Sequence, residues 1–274
     1  MKPNAYSLHI GLNRVDPLAY GGWGGQLRGC HNDATAMLDM AVANGFNKSS
    51  LLLSEEATLQ NVSLGIYELA KLATPGDLVF ITYSGHGGQV PDTNKDEPDG
   101  LDETWVLYDG MWLDDNLNSF LAEFAKGVRV VLLSDSCHSG TVIKAVHGIN
   151  QIRIIETMDG APQTVMYCKA APQYACRAYA ANPKPMVYPA KKKRVKSSVI
   201  LISGCADNQY SYDLEKNGMF TKVLLETLAA GVDKPGYSAL RKAIVKQMVP
   251  QQTPQITYLG ARNKQFEFST PFKP

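Results

Sequence analysis

The sequence predicts an α/β fold, a mostly parallel sheet covered by helices on both faces. Three observations carry this. Apolar runs such as Val79–Thr82 and Val130–Leu133 suit strands buried on both faces. Other segments repeat their apolar residues at helical intervals. The two kinds alternate along the chain, as strands and crossover helices do in a parallel sheet.

Tyr6–Leu12 reads as the first strand, followed by the glycine-rich stretch Tyr20–Gly25, whose spacing does not fit a dinucleotide fingerprint. Asn32 or Asp33 is the expected cap of a helix running to Asn44, with Met37, Leu38 and Val42 on its apolar side and Gly45 closing it. Ser50–Ser54 is a short strand, and Thr58 caps a helix through Leu72 with Leu59, Val62, Ile66 and Leu69 on one stripe. Thr74-Pro-Gly76 ends that helix before the strand at Val79. Six acids (Asp92, Asp96, Glu97, Asp99, Asp102, Glu103) then face Lys95 alone, the composition of a solvated loop. A small hairpin around Asp109-Gly110 and a helix from Asp114 to Phe124 lead to the strand at Val130. From Thr141 to Ser197 the periodicity fails amid five prolines, so 141–197 is expected to be an insertion with little regular structure beyond short strands near 152–155 and 164–167. Strands at Val199–Ser203 and Ile256–Leu259 and helices at 220–230 and 238–248 complete the chain.

Composition excludes several classes. A length of 274 residues, 45% hydrophobic and 19% charged, describes a globule with ample core, and a net charge of +1 makes no case for nucleic acid or an anionic membrane. Five irregularly spaced cysteines argue against a disulfide framework and for a reducing compartment. No basic-then-apolar leader or membrane-length apolar run is present, which makes a cytoplasmic location the expectation. The adjacent pairs Cys30-His31 and Cys137-His138 are poorly placed to chelate one metal ion.

Chemistry concentrates at two strand ends. Arg129–Gly140 runs from an apolar strand into Asp135, Cys137 and His138, and Val79–Gly88 runs from another into Ser84 and His86 among glycines. Sites in open α/β sheets lie beyond the carboxyl ends of the strands. With residues i and i+2 on one side, Ser84 pairs with His86 and Asp135 with Cys137, while His138 tends to point away. Cys137 is thereby placed to react rather than pack, and His86 to take its proton. No third catalytic member is evident.

The motifs Tyr83-Ser-Gly-His-Gly87 and Asp135-Ser-Cys-His-Ser-Gly140, with Gly29–Ala34 and Ser203–Gln209 in order, resemble the caspase-like cysteine peptidases of clan CD, the metacaspases and their bacterial relatives. The 51-residue interval from His86 to Cys137 agrees with that. The resemblance spans about residues 5 to 260 and implies a caspase-like three-layer sandwich of about six strands in a single domain 1–274. In it, 1–140 matches the large subunit, 141–197 is the linker and 198–274 matches the small subunit.

The resemblance implies peptide-bond hydrolysis by a Cys137–His86 dyad, with the Gly87 and Cys137 amides as oxyanion hole. It adds Asp33, Cys30 and Ser84 to Asp135 in the pocket for P1, the residue before the cut. Two carboxylates there suit a basic P1, Arg before Lys, in peptide or protein substrates. Asp102, Asp114 and Asp115 fall near the family's calcium positions, but Lys144 stands where a further aspartate ligand is expected, so the expectation is no cofactor and no calcium requirement. The basic run Lys191, Lys192, Lys193, Arg194 and Lys196 offers sites for self-cleavage, or a tethered inhibitor, or a solvated loop or nuclear-import patch. Cys168, Cys176 and Cys205 are left as structural or surface residues. A regulatory protein partner is also expected as an option for the enzyme, and a catalytically idle caspase-like scaffold or partner-binding domain is the alternative reading.

Overall fold

The structure is a computed structural model describing residues 3–92, 100–137, 153–156, 162–165, 167–185, 194–206 and 209–274, with 153–156 and 162–165 described as backbone. In chain order it contains β1 (Ala5–Gly11), α1 (Cys30–Ala43), β2 (Lys48–Leu53), α2 (Leu59–Leu72), β3 (Leu78–Ser84), β4 (Gly87–Pro91), β5 (Leu101–Val106), β6 (Met111–Leu113), α3 (Asp114–Leu121) and β7 (Arg129–Asp135). There follow β8 (Arg153–Glu156), β9 (Pro162–Val165), β10 (Tyr167–Cys168), α4 (Gln173–Ala181), β11 (Ser198–Ser203), β12 (Tyr212–Asp213), α5 (Met219–Ala230), α6 (Tyr237–Val245), β13 (Gln255–Gly260) and α7 (Lys264–Glu267).

Six strands form the main sheet in the order β13-β11-β7-β3-β1-β2, all neighbours parallel except the β11–β13 pair. Strand periodicity divides the core in two. Leu8, Val79, Ile81, Val130 and Leu132 point to one face, where Val62 and Ile66 of α2, Phe120 of α3 and Tyr179 of α4 cover them. Phe80, Val131, Leu133 and Ile200 point to the other, packed by Met37 of α1, Phe220 and Leu224 of α5, Leu240 of α6 and Phe266 of α7. The expected three-layer architecture is what forms, with strands from both sides of the 141–197 stretch in one sheet.

Three local expectations are corrected. Helix α1 starts at Cys30 with Gly29 as N-cap, so Asp33 lies inside its first turn instead of capping it. The cap position is held from outside, by the Asp213 carboxylate accepting from the Arg28 and Gly29 amides at 2.7 and 3.0 Å. Second, the acidic run is not a solvated loop to its end: Asp102 and Glu103 lie in β5, with Asp102 buried, and β5 pairs with β4 in a three-stranded β4-β5-β6 sheet. Third, beyond the two short strands expected there, which form as β8 and β9, the 141–197 stretch carries β10, paired with β12 further along the chain, and helix α4. Pro172 does not break α4 but immediately precedes it, where its missing N–H costs nothing.

Candidate active site

Strands β3 and β7 are in register from Leu78↔Arg129 to Ser84↔Asp135, so both deliver their polar ends at the same level of the sheet. Just beyond lie His86 and Cys137, both buried. Gly87 packs so closely on the Cys137 carbonyl that a β-carbon there would overlap it. Only glycine lets these two segments approach this far.

The His86 ring is held by a partner the sequence did not reveal. Its Nε2 lies 3.2 Å from the Gly25 carbonyl, and the Trp23 ring stands edge-on at 4.7 Å between centroids. Gly25 has φ +57, a left-handed turn that aims the carbonyl inward. The arrangement favours the Nε2–H tautomer and leaves Nδ1 to accept a proton; Nδ1 has no hydrogen-bond partner among the described residues. A backbone carbonyl thus occupies the orienting position for which no side chain was evident.

The Cys137 thiol is turned onto Ser211, whose amide donates to Sγ at 2.7 Å. Burial, with Cys205 beside it, pushes the thiol pKa well above its usual value. The Cys205 thiol in turn donates to the Ser136 carbonyl at 3.4 Å, so this buried cysteine lies beside the site. Burial likewise lowers His86 to about 3, with the charge of Lys169 adding to the effect against the pull of the Gly25 backbone. Both groups are neutral in this arrangement.

Lys169 occupies the cleft. Its Nζ donates to Asp135 at 2.8 Å, Ser84 at 2.9 Å and Asp33 at 3.0 Å, using all three protons. Its carbonyl accepts from the Gly87 amide at 3.0 Å and the Cys137 amide at 3.1 Å. Burial works against the ammonium, but Asp135 and Asp33 hold its pKa well above the usual lysine value. Burial raises Asp33 despite Lys169. Asp33 also accepts from Ser84, Asn217 and the Gly218 amide, and Asp135 from Ser211 and Thr221. Cys30 is buried beside Ser84 and Lys169, its thiol raised by burial. Gly218 closes the pocket: a β-carbon there would fall on Lys169 Nζ and on both carboxylates.

Asp33, Ser84, Asp135, Cys30, Gly87, His86 and Cys137 therefore come together, and Asp213, Ser211, Asn217, Gly218, Thr221 and Lys169 join them unanticipated. Asp102 is on β5, and Asp114 and Asp115 open α3; among the described residues no group of three or more His, Cys, Asp or Glu is arranged to hold a metal ion. Arg194 and Lys196 are exposed ahead of β11. His138, Lys144, Lys191, Lys192 and Lys193 lie outside the described residues.

The caspase domain family model matches residues 15–266. Metacaspase-1 of Saccharomyces cerevisiae is 29% identical over 287 residues, covering 93% of this chain and 61% of the relative. Metacaspase-1 of Mycosarcoma maydis is 28% identical, covering 81% and 60%. The chain thus spans about three fifths of the length of these relatives. Among solved structures, protein GSU0716 from Geobacter sulfurreducens superposes with TM-score 0.83 at 44% identity over 99% of both chains. Caspase-1 from Spodoptera frugiperda shares the fold at TM-score 0.56 and 12% identity, covering 95% of this chain and 88% of that one. With the family match running through both halves of the cleft, the chain belongs to the caspase-domain family, with metacaspases among its relatives.

Proposed function

We propose that this chain is a cysteine endopeptidase cutting peptide bonds after Arg or Lys, with Arg preferred. One observation carries the reading: the cleft holds Lys169 as a basic P1 residue would be held, ammonium between Asp33, Ser84 and Asp135 and carbonyl on the Gly87 and Cys137 amides. Arg suits the same pocket because its guanidinium can bridge two carboxylates.

In the reaction, Cys137 passes its proton to His86 and attacks the P1 carbonyl carbon. The Gly87 and Cys137 amides receive the developing oxyanion. His86 then returns the proton to the leaving amine, and water releases the acyl group. The Gly25 carbonyl keeps the imidazole turned for both transfers. Sγ must first rotate off the Ser211 amide to reach Nδ1.

No calcium step is assigned, since by the family resemblance Lys144 stands in the sequence where a further aspartate ligand is expected. The reading takes the cytoplasm as the place of action, supported by five unpaired thiols. The test is hydrolysis of fluorogenic peptides with P1 varied over Arg, Lys, Asp and Ala. Cys137→Ala and His86→Ala should each lower kcat by about 1,000-fold or more. Efficient cleavage after Asp, or full activity in Cys137→Ala, overturns it.

A further inference from the structure

Gln252 belongs to none of the four motifs, lies between α6 and β13, and is fully buried. Its Nε2 donates to the Gly204 carbonyl and to Ser211 Oγ, both at 3.0 Å. Its Oε1 accepts from the Tyr212 amide at 3.2 Å, so all three bonds land on the segment between β11 and β12. The turn that carries it is anchored. Met248 and Val249 are buried in the core, and the Gln252 amide donates to the Val249 carbonyl at 3.0 Å. Gln209 makes the return contact, accepting from the Thr253 amide at 2.6 Å and donating to the Pro250 carbonyl at 3.2 Å.

What Gln252 holds is Ser211, each of whose polar groups serves the cleft. Its amide donates to Cys137 Sγ and its hydroxyl to Asp135 Oδ1. Its carbonyl accepts from the Lys169 amide, where the amide of a P1 residue would lie. A hydroxyl has one proton to give, and a carboxylate only accepts. The Ser211 proton therefore goes to Asp135 and its oxygen accepts from Gln252, which fixes the direction of the whole chain. With Oδ1 engaged in this way, Asp135 turns Oδ2 to the basic group, as Asp33 also does.

Building on the peptidase reading above, we propose that Gln252 is a positioning residue that sets the preference for Arg over Lys. Through Ser211 it holds the Asp135 carboxylate at the angle a planar guanidinium needs. An Arg side chain bridging two carboxylates has its donors fixed in one plane, so it depends on how the two are turned. A Lys ammonium is a point charge with three rotatable donors, and it tolerates a carboxylate that swings. The bonds of Gln252 reach none of the reacting atoms, and its effect on P1 passes through Ser211.

The experiment measures kcat/KM for otherwise identical Arg and Lys peptides, with active enzyme counted by an arginyl electrophile that labels Cys137. Gln252→Met keeps the bulk and removes the carboxamide. It should lower kcat/KM roughly 50-fold for Arg and only about 5-fold for Lys, so the Arg-to-Lys ratio falls about 10-fold. Ser211→Ala should lower the ratio by the same factor, and the double variant no further. Should Gln252→Met fail to fold, Gln252→Asn carries the same test. It keeps a carboxamide but is one methylene too short to hold Tyr212 and Ser211 together. An unchanged ratio in the folded Gln252 variant overturns the proposal, whatever happens to the rates, because a merely structural role lowers both peptides alike. A further fall of the ratio in the double variant overturns it too. Either result leaves the peptidase reading standing. Wild type that hydrolyses neither peptide and takes no label at Cys137 ends that reading, and this inference with it.

Discussion

The Lys169 ammonium lies 2.8 Å from the Asp135 carboxylate, and solvent reaches neither side chain. With Asp33 at 3.0 Å this is a buried three-charge cluster built from β7, α1 and the segment before α4. Such a cluster adds little net stability when whole, yet removing one member strands the others in a low dielectric.

Asp135→Asn in the Cys137→Ala background should therefore destabilise the chain by about 3–5 kcal/mol, a fall in Tm of roughly 10 °C. In the active background, kcat/KM for Arg peptides should drop roughly 10–100-fold through loss of a charge-assisted hydrogen bond. Thermal unfolding and peptide kinetics check the two effects separately; an unchanged Tm would contradict the cluster.

Gly218→Ala tests pocket shape without touching charge. Gly218 has φ −60 and ψ 148, which alanine adopts freely, so any effect comes from the added methyl. That methyl would occupy the space of Lys169 Nζ. Hydrolysis of Arg and Lys peptides should fall by about 100-fold or more, a loss of roughly 3 kcal/mol in transition-state binding. Wild-type kcat/KM would place the basic group elsewhere.

The sheet was legible in the sequence because Val79–Ser84 and Val130–Asp135 leave no other structure open to them, and the abrupt polar ends marked the site. Asp33 was legible as a site residue only through the family resemblance. Its position in the first turn of α1 depends on Asp213, Asn217 and Gly218, which come from nearly two hundred residues away. Lys169 left no local signal: it is one lysine among small residues, whereas the run ending at Lys196 is dense with charge. Its role depends on burial between two acids, and burial of a lysine is a tertiary property. The Gly25 carbonyl was unreadable for a simpler reason, since backbone groups carry no sequence signature.

Trp23→Ala tests how His86 is held. Trp23 touches the ring but bonds to none of the reacting atoms, so it is a positioning residue. Its loss should lower kcat roughly 10-fold with KM little changed, and Trp23→Phe should restore most of the rate by refilling the ring edge. A rise in KM with kcat intact would mean that Trp23 contacts substrate instead.

Two histidines buried among the described residues, His9 and His86, make the fold sensitive to acid. His9 sits between Thr82 Oγ1 at 3.0 Å and Ser7 Oγ at 2.9 Å, and burial lowers it to about 3. His86 is lowered to about 3 as well, first by burial and then by the Lys169 charge. In the unfolded chain both return to about 6.5. The folded form therefore excludes protons that the unfolded form binds, and the stability this confers is complete above pH 6.5 and lost as the pH falls toward 3. At pH 5 each histidine should already cost about 2 kcal/mol relative to neutral pH. Urea unfolding of the Cys137→Ala chain at pH 7.5 and pH 5 measures the sum, and His9→Gln, which keeps a polar group between Ser7 and Thr82, should remove about half of the difference. An identical pH dependence in His9→Gln would mean that His9 titrates normally in the fold.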